Sequence, residues 1–118
     1  MNEKDVSNSI LMAASSLGVT LFRTNSGKAW QGSKIRFASG LAIIENPRRI
    51  ELLPTGFFDY AGWTLDGRFL GIEVKGPKGR IGEKQQHFIN RAKLSGCVAG
   101  VAWTVEDVIK LIEDSKHD

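Results

Sequence analysis

Cysteine is nearly missing from the chain. Cys97 stands alone among 118 residues, so no intramolecular disulfide can form, and with only two histidines no His/Cys zinc site is readable. Lying between Gly96 and Val98 in an apolar run, Cys97 reads as a buried core thiol. Long hydrophobic runs are missing too: none approaches the ~20 residues of a membrane span. The N-terminal stretch lacks the basic, apolar, small-residue order of a secretory signal. These absences predict a cytoplasmic protein with no membrane partner. At 42% hydrophobic and 25% charged residues, the composition predicts one globular domain over residues 1–118 with a single core.

Acidic residues are scarce in two segments. Residues 21–50 carry six basic groups against one acid and residues 71–95 carry six against two, whereas residues 104–118 carry two against five. The net charge of +3 is therefore unevenly spread, and the positive segments flank a stretch with acids in unusual places, as a phosphate-binding surface requires.

That stretch is residues 56–75, GFFDYAGWTLDGRFLGIEVK. Alternating aromatic and aliphatic residues around Asp66-Gly67 predict a β-hairpin. Asp59 on the first strand, with Glu73 and Lys75 on the second, are ionisable groups in otherwise apolar strands. A two-residue turn pairs Leu65 with Arg68 and points Asp59 away from Glu73. A three-residue turn, Leu65-Asp66-Gly67 with a left-handed glycine, pairs Thr64 with Arg68 and sets Asp59 across from Glu73, their Cβ atoms roughly 4.5–5.5 Å apart. In that register Asp59, Ala61, Gly71, Glu73 and Lys75 share one face. Phe58, Tyr60, Leu70, Ile72 and Val74 share the other, which reads as core. Two carboxylates so close repel when both are ionised. A hard divalent cation relieves the repulsion, since Mg²⁺ takes oxygen ligands and keeps waters and phosphate oxygens in its shell. Lys75 adds positive charge within reach of a phosphate or an attacking water, the outline of metal-assisted phosphodiester hydrolysis. The same spacing fits an ion-paired hairpin in which Lys75 bridges the two carboxylates.

Around the hairpin, Val6, Ile10, Leu11, Ala14 and Leu17 predict a helix over residues 5–17, ended by Gly18. Glu3 precedes it, either favouring the helix N-terminus or adding a carboxylate to the site. Residues 19–22 predict a short strand. Residues 23–34, RTNSGKAWQGSK, predict a polar loop that sets Arg23, Asn25 and Lys28 against phosphates and Trp30 against a base, or one with Trp30 folded onto the core. Residues 35–44 and 50–53 read as strands about a turn at Glu45-Asn46-Pro47. After Lys75, GPKGRIG breaks the strand and carries Lys78 and Arg80. A helix is predicted over residues 83–94, with Gln85 the polar member of its apolar stripe, suited to a bound water or phosphate oxygen unless merely solvated. Gly96 caps it, residues 97–104 predict a buried strand, and Thr104 caps a last helix over residues 105–115.

Asp59, followed fourteen residues later by Glu73-Val74-Lys75, resembles the D…(D/E)xK signature of the PD-(D/E)xK nuclease superfamily. With RTNSGKAW, GFFD, DGRFLGIEVKGPKGRIGEKQQHFI and LSGCVAGVAWTVEDV in that order, the chain from Val19 to Ile112 resembles the virus-type replication-repair nuclease (VRR-NUC) family. It is most similar to the small stand-alone members of phages and bacteria. The resemblance implies an α/β fold with a restriction-endonuclease-like core: a central mixed β-sheet, a β-hairpin carrying the site, and helices on both faces. It also implies Asp59 and Glu73 as carboxylate ligands of Mg²⁺ or Mn²⁺, the Val74 backbone carbonyl as a further ligand, and Lys75 orienting or activating the attacking water. Gln85 matches the family's glutamine best, with Phe88 three residues on, and Gln86 is the runner-up. Phe58 stands where the family commonly has proline, which puts the local backbone in question. The implied activity is that of a metal-dependent DNA endonuclease, selective for four-way (Holliday) junctions, working as a homodimer in repair or recombination. A flap, nick or single-strand nuclease, or a catalytically silent nucleic-acid-binding module, are the alternatives.

Overall fold

The computed structural model describes residues 3–116, apart from the side chains of Glu3, Lys4 and Val6, so the expected reach of Glu3 lies outside the described residues. The elements in chain order are α1 (Glu3–Ser16), β1 (Thr20–Arg23), β2 (Lys28–Gln31), β3 (Lys34–Ala38), β4 (Leu41–Glu45), β5 (Arg48–Glu51), β6 (Tyr60–Trp63), β7 (Phe69–Val74), α2 (Glu83–Leu94), β8 (Val98–Ala102) and α3 (Val105–Ser115). They fall into two compact units. One comprises the chain up to Thr24 and from Gly56 onward, and the other is Asn25–Thr55.

The first unit is an α/β layer structure around a mixed four-stranded sheet of order β1-β6-β7-β8. β1, β6 and β7 run antiparallel to their neighbours, while β7 and β8 are parallel, so their connection must cross over and does so through α2. α1 and α3 cover one sheet face: Ile10, Ala14, Val108 and Ile112 pack with Tyr60, Leu70, Ile72, Val74 and Val98. α2 covers the other, where Ile89, with Phe88 and Ala92, packs on Phe58 and Ala99. β7 is thus buried on both faces, and residues 70–74 are all buried. No described helix is long and apolar enough to cross a membrane.

Local chemistry sets the ends of these elements. Gly18, at φ 74°, lets the chain turn out of α1 in the left-handed conformation. Thr104 accepts the Asp107 N–H, and the Asp107 carboxylate accepts the N–H groups of Trp103 and Thr104, a reciprocal cap that starts α3 where expected. The expected helix over residues 83–94 has the same bounds in the structure. Cys97 differs from expectation: it is half-buried, because it lies in the turn between α2 and β8 rather than inside the strand.

The second unit holds two antiparallel ribbons, β2 with β5 and β3 with β4. Two expectations are corrected here. The polar segment 23–34 is not all loop, since Lys28–Gln31 forms β2, pairing with β5. Residues 35–44 are not one strand: Ser39 (φ 48°) and Gly40 (φ 76°) form a tight turn between β3 and β4, and a turn with both central residues left-handed matches strand twist.

Candidate metal centre

The hairpin register decides whether the two carboxylates meet. β6 and β7 pair Tyr60 with Ile72, Ala61 with Gly71, Gly62 with Leu70 and Trp63 with Phe69. The Thr64 N–H donates to the Arg68 carbonyl (2.9 Å) and the Gly67 N–H to the Thr64 carbonyl (3.1 Å), with Gly67 at φ 84°. This is the three-residue turn, and it carries Asp59 to the level of Glu73.

Asp59 precedes β6 on a bend and is held from two sides. Its Oδ2 accepts the Val74 N–H at 2.8 Å, and its carbonyl accepts the Thr24 N–H at 2.9 Å. The Thr24 hydroxyl also donates to the Phe58 carbonyl. Thr24, following β1, is thus a positioning residue for residues 58–59, and nothing in its sequence setting marks it. The bend also corrects the expected faces. Phe58 does not join Tyr60 and Leu70. It packs with Ile89 and Ala99 on the Gly71 side of the sheet, where a Cβ on Gly71 would lie 2.6 Å from its ring. Strict alternation fails at residues 58–59 because β6 begins only at Tyr60.

Glu73 is 0% exposed. Its Oε2 accepts from Gln85 Nε2 at 3.0 Å, while its Oε1 is buried without a partner. Burial pushes its carboxyl up from 4.5 to about 8. The adjacent Asp59 charge and a hydrogen bond with Asp59 push the same way, while the positive charge of Lys75 partly offsets them. The two carboxyls are therefore within hydrogen-bonding reach of each other, and half-buried Asp59 is the more accessible of the pair.

Gln85 has two tasks. As the third residue of α2 it accepts the Gly82 N–H on Oε1 at 2.8 Å, closing the N-terminus of the helix, while Nε2 donates to Glu73. One amide hydrogen remains for a bound water or phosphate oxygen. Gln86 instead donates to Asn90, so Gln85 is the glutamine at the carboxylates. Lys75 is half-buried beside Gly79, and among the described residues no ion pair joins it to either carboxylate. Val74 contributes its N–H to Asp59 and its side chain to the core.

The structure brings Asp59, Glu73, Lys75 and Gln85 together, with the backbone of Val74 between them. Lys78 and Arg80 are exposed on the loop after Lys75, a loop pinned by the Trp103 indole N–H on the Gly79 carbonyl at 2.9 Å. Arg23 is turned away: its guanidinium lies 5.9 Å from the centre of the Tyr60 ring, and its pairing with Tyr60 sets it on the sheet face opposite the carboxylates. Asn25 and Lys28 belong to the second unit, both exposed. Among the described residues no group of three or more His, Cys, Asp and Glu gathers, and the described side-chain anions here are the two carboxylates. In comparisons of sequence, neither a protein-family model nor a curated protein matches the chain.

Proposed function

We propose that this protein is a divalent-cation-dependent DNA endonuclease with a restriction-endonuclease-like core, of the PD-(D/E)xK kind its hairpin resembles. One observation carries the reading: a fully buried Glu73 with an orphaned Oε1, set beside Asp59. With both carboxyls ionised that Oε1 has no donor and the pair repels, so the site is held either by a proton shared with Asp59 or by a cation in its place. A hard cation fits this donor set, because it needs only a few carboxylate oxygens and fills its remaining positions with water and phosphate oxygens. The competing ion-paired hairpin lacks its bridge, since Lys75 pairs with neither carboxylate.

Asp59 and Glu73 would hold Mg²⁺ or Mn²⁺, with the Val74 carbonyl as the further ligand the resemblance implies. The cation supplies Lewis-acid stabilisation of charge on the phosphate and an acidified water. The Val74 N–H fixes the Asp59 carboxylate, and Gln85 fixes Glu73 through Nε2 while anchored to the start of α2. Lys75 orients the attacking water and offsets charge on the phosphate. Lys78 and Arg80 contact the DNA backbone. The favoured substrate is branched DNA cut by a homodimer, because a two-fold pair of sites addresses two strands symmetrically.

The test incubates the protein with labelled four-way junction, flap, single-stranded and linear duplex DNA in Mg²⁺, Mn²⁺ or EDTA. Metal-dependent cutting of the junction alone supports the full reading, and broad cutting supports a flap or general nuclease. Binding without cutting under any metal sinks the catalytic claim and leaves a silent binding module.

A further inference from the structure

The metal centre makes no use of a face in the second unit. β2 and β5 pair Lys28 with Glu51 and Trp30 with Arg49, and strand alternation sets these four side chains on one side of the ribbon. Trp30 is 60% exposed, a large indole left in water. Arg49 is exposed directly across from it, with Cβ atoms roughly 4.5–5.5 Å apart, and Lys28 is exposed two residues along. Two of the other three cations of this unit, Arg48 and Arg36, are engaged: Arg48 donates to Gln31, and Arg36 pairs with Glu45. Among the described residues, the side chains of Lys28 and Arg49 make neither an ion pair nor a hydrogen bond. The unit carries five Lys and Arg against two Glu and no Asp.

We infer that the Lys28–Trp30–Arg49 face binds single-stranded nucleic acid. An unpaired base stacks on the Trp30 indole while Arg49 and Lys28 take the adjoining phosphates. An unpaired base is required because the base faces of a duplex are already stacked on each other. A purely apolar protein partner would cover the indole but strip water from two unpaired cations, whereas a nucleotide satisfies ring and charges together. The choice of nucleic acid as occupant rests on the nuclease reading, but the face lies in a different unit from the carboxylates and needs no metal.

The experiment measures binding of the full chain, in EDTA, to fluorescent oligothymidylate of about 12 nucleotides and to duplex of equal length. Trp30→Ala should weaken single-strand binding about tenfold or more while Trp30→Phe retains most of it, and duplex affinity should change little. Arg49→Ala should reduce the slope of log affinity against log salt by about 0.7. Because Trp30 is exposed, both variants should keep the wild-type melting temperature. Unchanged single-strand affinity in Trp30→Ala overturns the inference. So does sedimentation in which Trp30→Ala abolishes self-association but not nucleic-acid binding, which would give the indole to a second copy. Cleavage of DNA by a Trp30→Ala chain that binds as tightly as wild type would overturn this face alone. A Trp30-dependent single-strand binder that cuts nothing would support the face and end the nuclease reading.

Discussion

At the scale of the residue, Glu73 combines zero exposure, one satisfied oxygen and one orphan. Its carboxyl titrates near 8 in the folded chain against an ordinary 4.5, so between those values the folded state holds a proton that the unfolded state has released. This group's contribution to stability is complete below the unfolded value and is lost as the pH rises toward the folded one, by about 1.4 kcal/mol per pH unit at its steepest. Urea denaturation in EDTA should therefore give a lower midpoint at about pH 8 than at about pH 5. Glu73→Gln, which mimics the neutral carboxyl, should remove that part of the slope; equal pH dependence in both proteins would show that Glu73 does not carry it. Lys75 is the counterweight, since its charge opposes the rise at Glu73. Lys75→Ala should reduce cleavage by about a hundredfold or more while leaving the fold intact. Full activity in that variant would remove Lys75 from the chemistry.

At the scale of the element, the β6–β7 hairpin depends on two glycines for different reasons. Gly67 holds φ 84°, and Gly67→Ala should cost about 1 kcal/mol in chemical denaturation by forcing a side chain into the left-handed region. Gly71 is small because the Phe58 ring occupies the place of its Cβ. Gly71→Ala should cost about 1–3 kcal/mol and shift Asp59, Phe58's neighbour, so that activity falls further than stability alone explains. Wild-type cleavage by a folded Gly71→Ala chain would contradict that link. The hairpin was legible in the sequence because Asp-Gly and aromatic alternation are local signals, and α2 and α3 because caps and stripes are local too. Phe58 was not legible on its proper face, since alternation gives no warning of where a strand begins. β2 was missed because Lys28–Gln31 is mostly exposed and offers no apolar period, and the Ser39-Gly40 turn because serine is not a usual left-handed residue. Burial of Glu73 was invisible for another reason: Gln85, twelve residues on at the start of α2, reaches its carboxylate only once α2 packs on the sheet, and no local period reports that packing.

At the scale of the whole molecule, the carboxylate pair couples cation binding to folding. The unfolded chain has no assembled pair, so a cation that binds Asp59 and Glu73 stabilises the folded state by mass action. It must first displace the proton that burial holds on Glu73, and that displacement becomes easier as the pH approaches about 8. Mn²⁺ or Mg²⁺ at about a hundred times its dissociation constant should add about 3 kcal/mol, a rise of several degrees in melting temperature for a domain of this size. The rise should be small at about pH 6 and larger at about pH 8, opposite in sign to the pH trend of the metal-free protein. Calorimetry at both pH values, with EDTA as reference, reads the two trends in one protein. Asp59→Asn and Glu73→Gln should each abolish the cation-dependent rise. A rise of equal size at both pH values, or one that survives in both variants, would place the cation elsewhere on the molecule and leave the orphaned Oε1 of Glu73 without its ligand.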